Sequence, residues 1–142
     1  MTAKKVVIVG GVAGGATTAA RLRRLNEEME IVLLERGEHV SYANCGLPYY
    51  IGEVIEKRDD LFVMTLQKFR SWYNIDIRVN SEVLTVDRSG QRVEVLNRLS
   101  GEKYWESYDY LVLSPGAEPI RPPLPGVQHP AVFTLRNVAD TD

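Results

Sequence analysis

The chain carries a single cysteine, Cys45, in Ser41-Tyr42-Ala43-Asn44-Cys45-Gly46-Leu47-Pro48-Tyr49, shortly after a glycine-rich motif and an acidic residue. The thiolate is the reactive form of cysteine, and a helix N-terminus or a nearby cation lowers the thiol pKa from about 8.5. Pro48 reads as the first helical position of the next segment, because proline has no N–H to satisfy and its fixed φ suits that site. Cys45 then lies at a helix mouth, where unpaired N–H groups and the dipole favour an anion. The alternative is a buried structural cysteine, the commoner fate of cysteine on composition alone. The Asn, Gly and Pro around it speak against a core strand or helix. With no second cysteine to close an internal disulfide, oxidation of Cys45 ends in a mixed disulfide, a persulfide or a sulfenic acid. The count also fits a reducing compartment.

A second constellation is Gly10-Gly11-Val12-Ala13-Gly14-Gly15, which follows an apolar run and opens a helical stretch, with Glu35 about twenty residues on. That spacing is a dinucleotide signal: Gly10 for a tight turn, Gly15 and Ala19 for close helix–sheet packing, and the helix N-terminus for a pyrophosphate. Glu35 can accept hydrogen bonds from an adenosine ribose. Val12 occupies the middle glycine position, so either Gly14 supplies the space or the phosphate contacts are looser. The alternative is a glycine-rich turn with no ligand.

Thr17, Arg21 and Arg24 fall at helical spacing on one face, with Thr18, Ala19, Leu22 and Leu25 roughly opposite. Two guanidiniums on one stripe can grip phosphates. They can equally form a solvated basic face in the C-terminal half of a helix. His39 and His129 are acid–base candidates by chemistry alone. No metal site is expected from one cysteine and two distant histidines, and Trp72 and Trp105 are expected to be packing residues.

The elements that position these groups follow from patterning. Lys5 to Val9 reads as a strand buried on both faces, a helix runs from about Gly14 to Asn26, and Glu30 to Glu35 is a second strand. Pro48 opens a short helix, and Thr65 caps another through Tyr73. Ile75 to Val79 is a strand. Glu82 to Asp87, Arg92 to Asn97 and Tyr104 to Ser107 form an antiparallel meander, turning at Ser89-Gly90 and Ser100-Gly101. Tyr110 to Leu113 returns to the parallel sheet and stops at Ser114-Pro115-Gly116. The proline-rich stretch from Pro119 to Pro130 is expected to be extended. The fold class is therefore α/β, a Rossmann-like parallel sheet with a three-stranded meander. The chain ends on a helix start, and a truncated chain, the N-terminal part of something larger, is the expectation.

With 142 residues, 44% hydrophobic and 25% charged, the composition is that of one globular domain. A net charge of -2 gives no global attraction for nucleic acid or anionic membrane. Lys4-Lys5 and the apolar run after them superficially resemble a signal peptide, but the glycine spacing and the arginines that follow fit a first strand and helix. No segment approaches transmembrane length.

From Val6 to Asp142 the chain resembles the N-terminal flavin domain of the pyridine nucleotide–disulfide oxidoreductases. The likeness is to the single-cysteine branch of coenzyme A-disulfide reductases and NADH-dependent persulfide reductases. It is carried by Gly10 through Thr17, Glu35-Arg36, Ser41 with Asn44-Cys45-Gly46-Leu47-Pro48-Tyr49, Leu113-Ser114-Pro115-Gly116 and Leu135-Arg136-Asn137. This branch tolerates a residue such as Val12 at the middle glycine position. The resemblance implies that residues 1–142 form an FAD-binding domain. It implies FAD at Gly10, Val12, Ala13, Gly14, Glu35, Arg36 and Asn44, backbone near Val83 at the adenine, and Ser114, Pro115 and Gly116 beside the cofactor. Ser114 can also be a plain strand-ending turn. It further implies Cys45 as the redox-active thiol, reducing coenzyme A disulfide or a low-molecular-weight persulfide at the expense of NAD(P)H. Thr17, Arg21, Arg24, Ser41 and Asn44 would line the coenzyme A site, and Tyr73 stands where some relatives carry a coenzyme-contacting lysine. A homodimer in the full-length protein and a cytoplasmic location are implied as well. The alternatives are an NADH oxidase or peroxidase cycling Cys45 through a sulfenic acid, and a non-catalytic flavin-binding module.

Overall fold

The structure is a computed structural model and describes residues 3–142. Four parallel strands form its centre: β1 (Lys5–Val9), β2 (Glu30–Leu34), β3 (Asp76–Arg78) and β7 (Tyr110–Leu113), in the order β3-β2-β1-β7. The β-branched run of β1 pairs on both sides, Val9 opposite Leu34 and opposite Leu113, so Gly10, Glu35 and Ser114 emerge together at the carboxyl edge. β3 is shorter than the expected Ile75–Val79, and Glu35 falls just beyond β2.

Helix α1 (Ala13–Leu25) lies against one face and buries its small residues Gly15, Ala16 and Ala19. Short side chains bring helix and sheet close. Helix α3 (Leu66–Tyr73) adds Phe69 to the same core, with Val6, Ile8, Ile31, Leu33 and Ile77 from the sheet. The opposite face of the sheet, Val7, Val32 and Leu34, is covered by Val93 and Val95 of an antiparallel meander. That meander is β4 (Ser81–Asp87), β5 (Arg92–Asn97) and β6 (Lys103–Ser107), with a register shift between Val83 and Thr85. Both faces of β1 and β2 are thus covered, as a parallel sheet requires.

A third cluster joins Leu47 of α2 (Leu47–Ile51) and Leu61 to Val138 near the end of the chain. Pro48 is the second helical position, not the first, because Leu47 already follows directly from a 3-10 turn over Asn44–Gly46. The stretch between Pro115 and Phe133 forms no helix or strand, as expected of its prolines. The expected helix start at the end is a 3-10 turn, Val138–Thr141, closed by a capping box between Asn137 and Asp140. Trp72 and Trp105 do not pack inside. They are 68% and 46% exposed, with the Lys68 ammonium and the Arg92 guanidinium over their rings. Each indole is covered by a long cationic side chain rather than by core.

Candidate functional site: a cleft at the carboxyl edge of the parallel sheet

The strands on either side of β1 connect in opposite directions along the sheet, and the crevice beyond their carboxyl ends is where open α/β sheets take ligands. A cleft of ≈ 1140 Å³ opens there. Its floor is the glycine turn. Gly10 has φ +94, a region open to glycine, and a Cβ there would run into the Ser114 carbonyl. A Cβ on Gly15 would strike the carbonyl of Gly10, so turn and helix can approach this closely only without one.

Ser114 is more than a strand-ending turn. Its N–H donates to the Val9 carbonyl at 2.8 Å, and its Oγ donates to the same carbonyl at 3.0 Å and lies 3.3 Å from that of Gly10. The hydroxyl clasps the glycine turn to β7. On Gly14 a Cβ would meet only the Ser114 side chain, at 3.3 Å, and otherwise open cleft. That space lies beside Val12, which lines the same wall. Val12 is the N-cap of α1 and provides no side-chain acceptor, and the first turn holds no acidic residue. The first N–H groups of α1 are therefore free at the cleft, a positive end suited to an anion.

Glu35 is buried, and both its carboxylate oxygens are in use. Oε2 accepts the Gly11 N–H at 2.7 Å and Oε1 accepts the Gly37 N–H at 2.8 Å. A carboxylate has about four acceptor positions, so room remains for a diol. Arg36 pairs with Glu118 from the segment after β7. Tyr42 and Asn44 line the cleft where it meets the cysteine segment. Burial pushes the Tyr42 hydroxyl pKa up, and the Glu35 charge adds to the rise.

Cys45 is exposed, which removes the buried structural alternative. It is not itself in the cleft wall, but its neighbour Asn44 is. Ser41 is buried, with φ +51, and its N–H donates to the Gly11 carbonyl at 2.9 Å. This bond ties the cysteine segment to the glycine turn, with Ser41 outside the cleft wall. Of the other expected cofactor residues, Gly10, Val12, Ala13, Gly14, Glu35, Arg36, Asn44, Ser114, Pro115 and Gly116 meet at the cleft. Val83 does not line it; its side chain packs on the second core.

Thr17, Arg21 and Arg24 lie on the exposed face of α1, outside the cleft. Among the described residues, neither Arg21 nor Arg24 has a hydrogen-bond or ion-pair partner. The arginine between them is the structural one. Arg23 donates from Nε to the Tyr73 carbonyl at 2.7 Å and from a terminal nitrogen to that of Asn74 at 2.8 Å, tying the end of α1 to the end of α3. His39 lines the cleft with its ring 5.0 Å from that of Phe62, edge on, whereas His129 lies on the exposed loop and accepts the Ala131 N–H. Among the described residues, no group of three or more His, Cys, Asp or Glu could hold a metal ion, and no helix is long and apolar enough to cross a membrane.

The structure also brings Asn80, Arg98, Leu99, Glu118 and Arg136 to the cleft, none of which sequence reasoning assigned there. Only Arg136 had a signal, as part of the Leu135-Arg136-Asn137 resemblance. The others arrive through tertiary contacts.

Comparison with known proteins agrees with this architecture. The chain is 46% identical over 138 residues to a coenzyme A disulfide reductase of Staphylococcus aureus, a match covering 97% of this chain and 31% of the relative's length. Reduced Bacillus anthracis CoADR-RHD superposes with a TM-score of 0.95 at 54% identity, over 100% of this chain and 26% of that one. A NAD-dependent persulfide reductase from A. fulgidus superposes at 0.89 with 34% identity, over 96% and 26%. The chain thus spans about a third or less of the length of these relatives. The family model for pyridine nucleotide-disulphide oxidoreductases matches residues 4–142, and the chain belongs to that family.

Proposed function

We propose that residues 1–142 form the FAD-binding domain of an NAD(P)H-dependent oxidoreductase that reduces coenzyme A disulfide, or a low-molecular-weight persulfide, through Cys45. The observation that carries this reading is an exposed thiol one residue from the wall of a cleft built for a dinucleotide. The names of the coenzyme A disulfide reductase and persulfide reductase relatives support the substrate class.

The cleft fits FAD by its donor set. The free N–H groups at the start of α1 suit a pyrophosphate, the glycine turn lets it approach, and Glu35 retains acceptor capacity for a ribose. Arg36, Asn44, Ser114, Pro115 and Gly116 would complete the enclosure. Bound FAD supplies a two-electron relay between NAD(P)H and sulfur.

The protein's own contribution is at Cys45. Its thiolate attacks one sulfur of the substrate, the substrate S–S bond breaks, and one coenzyme A thiolate leaves as a mixed disulfide forms on Cys45. Two electrons then cleave that mixed disulfide, releasing the second thiolate and restoring the Cys45 thiolate. One NAD(P)H and one proton are consumed for each pair of thiols made. Thr17, Arg21 and Arg24 face solvent without internal partners and would hold the phosphates of coenzyme A, with Ser41 and Asn44 nearer the sulfur.

The test is Cys45→Ser in the full-length protein. Anaerobic bleaching of the flavin by NAD(P)H should persist, while oxidation of NAD(P)H coupled to coenzyme A disulfide should fall to background, because a serine hydroxyl offers almost no anion at neutral pH. Turnover of coenzyme A disulfide at the parent rate would overturn the reading.

A further inference from the structure

We propose that Ser41 is a positioning residue for the thiol chemistry, and that its left-handed backbone, rather than its hydroxyl, brings Cys45 to the edge of the cleft; this rests on the reading of Cys45 as the redox-active thiol.

The chain changes direction at Ser41. Val40 before it is buried in the core that α1 covers, with Ile8, Ala16 and Leu33, whereas Tyr42 after it packs with Leu47, Leu61 and Val138 in the third cluster. An extended residue at position 41 would keep Val40 and Tyr42 on one face. Here they enter two separate cores, and the change is made at Ser41, where φ is +51. That conformation is natural to glycine, tolerated by a few short polar residues and opposed by a branch at Cβ.

Both backbone groups of Ser41 are held in place. The N–H donates to the Gly11 carbonyl at 2.9 Å, and the carbonyl accepts the Val63 N–H at 2.8 Å. Gly11 is fixed in turn, its own N–H donating to Glu35 at 2.7 Å. Ser41 therefore joins the glycine turn to residues 61–63.

From Ser41 to the thiol the path is short and fixed as well. Tyr42 faces Phe62 in an antiparallel bridge, and the Ala43 N–H donates to the Leu61 carbonyl at 2.8 Å. The Ala43 carbonyl accepts the Gly46 N–H at 2.9 Å, at the 3-10 turn that carries Cys45. Leu61 is fully buried, so the track along which Tyr42 and Ala43 run is part of a core. Loss of the positive φ would swing Tyr42 off this track and shift the thiol, and a displacement of about 1 Å can cost roughly a hundredfold in rate. The hydroxyl has no comparable task. Among the described residues it makes no hydrogen bond, unlike the Ser114 hydroxyl, which clasps the glycine turn. It is left for substrate, so backbone and hydroxyl can be separated by substitution.

Ser41→Gly permits the left-handed conformation and removes the hydroxyl, whereas Ser41→Thr keeps the hydroxyl and adds a branch that opposes the conformation. Both are made in the full-length protein, and turnover of coenzyme A disulfide is compared with anaerobic reduction of the flavin by NAD(P)H. Ser41→Gly should keep kcat within about twofold and raise KM roughly threefold, as loss of one neutral hydrogen bond to substrate does. Ser41→Thr should lower kcat about tenfold or more with flavin reduction at the parent rate, which confines the loss to the sulfur step. A Ser41→Gly kcat as low as that, or a Ser41→Thr kcat at the parent value, would overturn the proposal. If Ser41→Thr did not fold, Ser41→Ala takes its place, since it lacks the hydroxyl as Ser41→Gly does: a kcat severalfold below that of Ser41→Gly supports the backbone role, and equal values sink it. Parent-rate turnover by Cys45→Ser would instead remove the thiol reading itself, and the inference with it.

Discussion

Glu35 holds the glycine turn and, on the proposed function, would also receive a ligand. Its two oxygens hold the N–H groups of Gly11 and Gly37, so removing it leaves two backbone donors beside the cleft without their acceptor. A residue that only received a ribose would be silent without ligand. Glu35→Ala is therefore expected to destabilise the flavin-free chain by about 2 kcal/mol and also to weaken FAD by roughly tenfold or more. Glu35→Gln should behave nearly as badly, because its amide NH₂ would face one of the two N–H donors. Thermal melts of the flavin-free proteins check this; an unchanged melting temperature with weakened FAD would reduce Glu35 to a ligand contact alone. At this scale, legibility depends on locality. The glycine turn, Glu35 and Cys45 are readable because their chemistry is written in neighbouring residues. Glu118, Arg98 and Leu99 reach the cleft only because β7 and the meander bring them there, and no local pattern marks them.

The elements differ in how their ends are sealed, and the difference fits the proposed site. Helix α3 is closed by Thr65, whose Oγ1 accepts the Lys68 N–H at 3.3 Å, and by Asn74 in the left-handed conformation. Helix α1 has no side-chain cap at its start, where the cleft lies. Thr65→Ala should cost about 1 kcal/mol of stability, read by urea denaturation, and should leave flavin affinity unchanged, since α3 lies away from the cleft. A loss of flavin binding would mean that α3 positions the site. Both the Thr65 cap and the strands β1, β5 and β7 are legible in sequence, since β-branched runs and a capping threonine act locally. The start of α2 was less so. Pro48 suits either of the first helical positions, and only the 3-10 turn over Asn44–Gly46 decides that Leu47 comes first. The two tryptophans misled for a related reason, as burial depends on what covers a side chain and not on its size.

Across the whole molecule, the parallel sheet and the meander are two layers that share an apolar core and one ionic joint. Glu106 of β6 is buried and sits between Lys5 of β1 and Arg78 of β3, accepting hydrogen bonds from both. Lys5 also reaches Glu30 at 3.0 Å and Arg78 reaches Asp76 at 2.6 Å, so the joint is a network across both sheets. Burial alone would raise the Glu106 pKa, but the hydrogen bonds from Lys5 and Arg78 outweigh it and hold the carboxyl below its ordinary value. The pairing therefore contributes its full stability above the unfolded carboxyl value of about 4.3 and loses it as pH falls through the lower folded value. Glu106→Gln leaves the two half-buried cations to Glu30 and Asp76 alone and should destabilise the chain at pH 7 by about 2 kcal/mol, between the effect of an exposed ion pair and that of a fully buried one. Below the folded value of Glu106 the gap between variant and parent should shrink, because protonation has already discharged the parent's carboxylate. Urea denaturation of both proteins at pH 7 and at successive lower pH values reads this directly. A gap that stays constant on acidification would mean that Glu106 holds the layers together by packing and neutral hydrogen bonding rather than by charge.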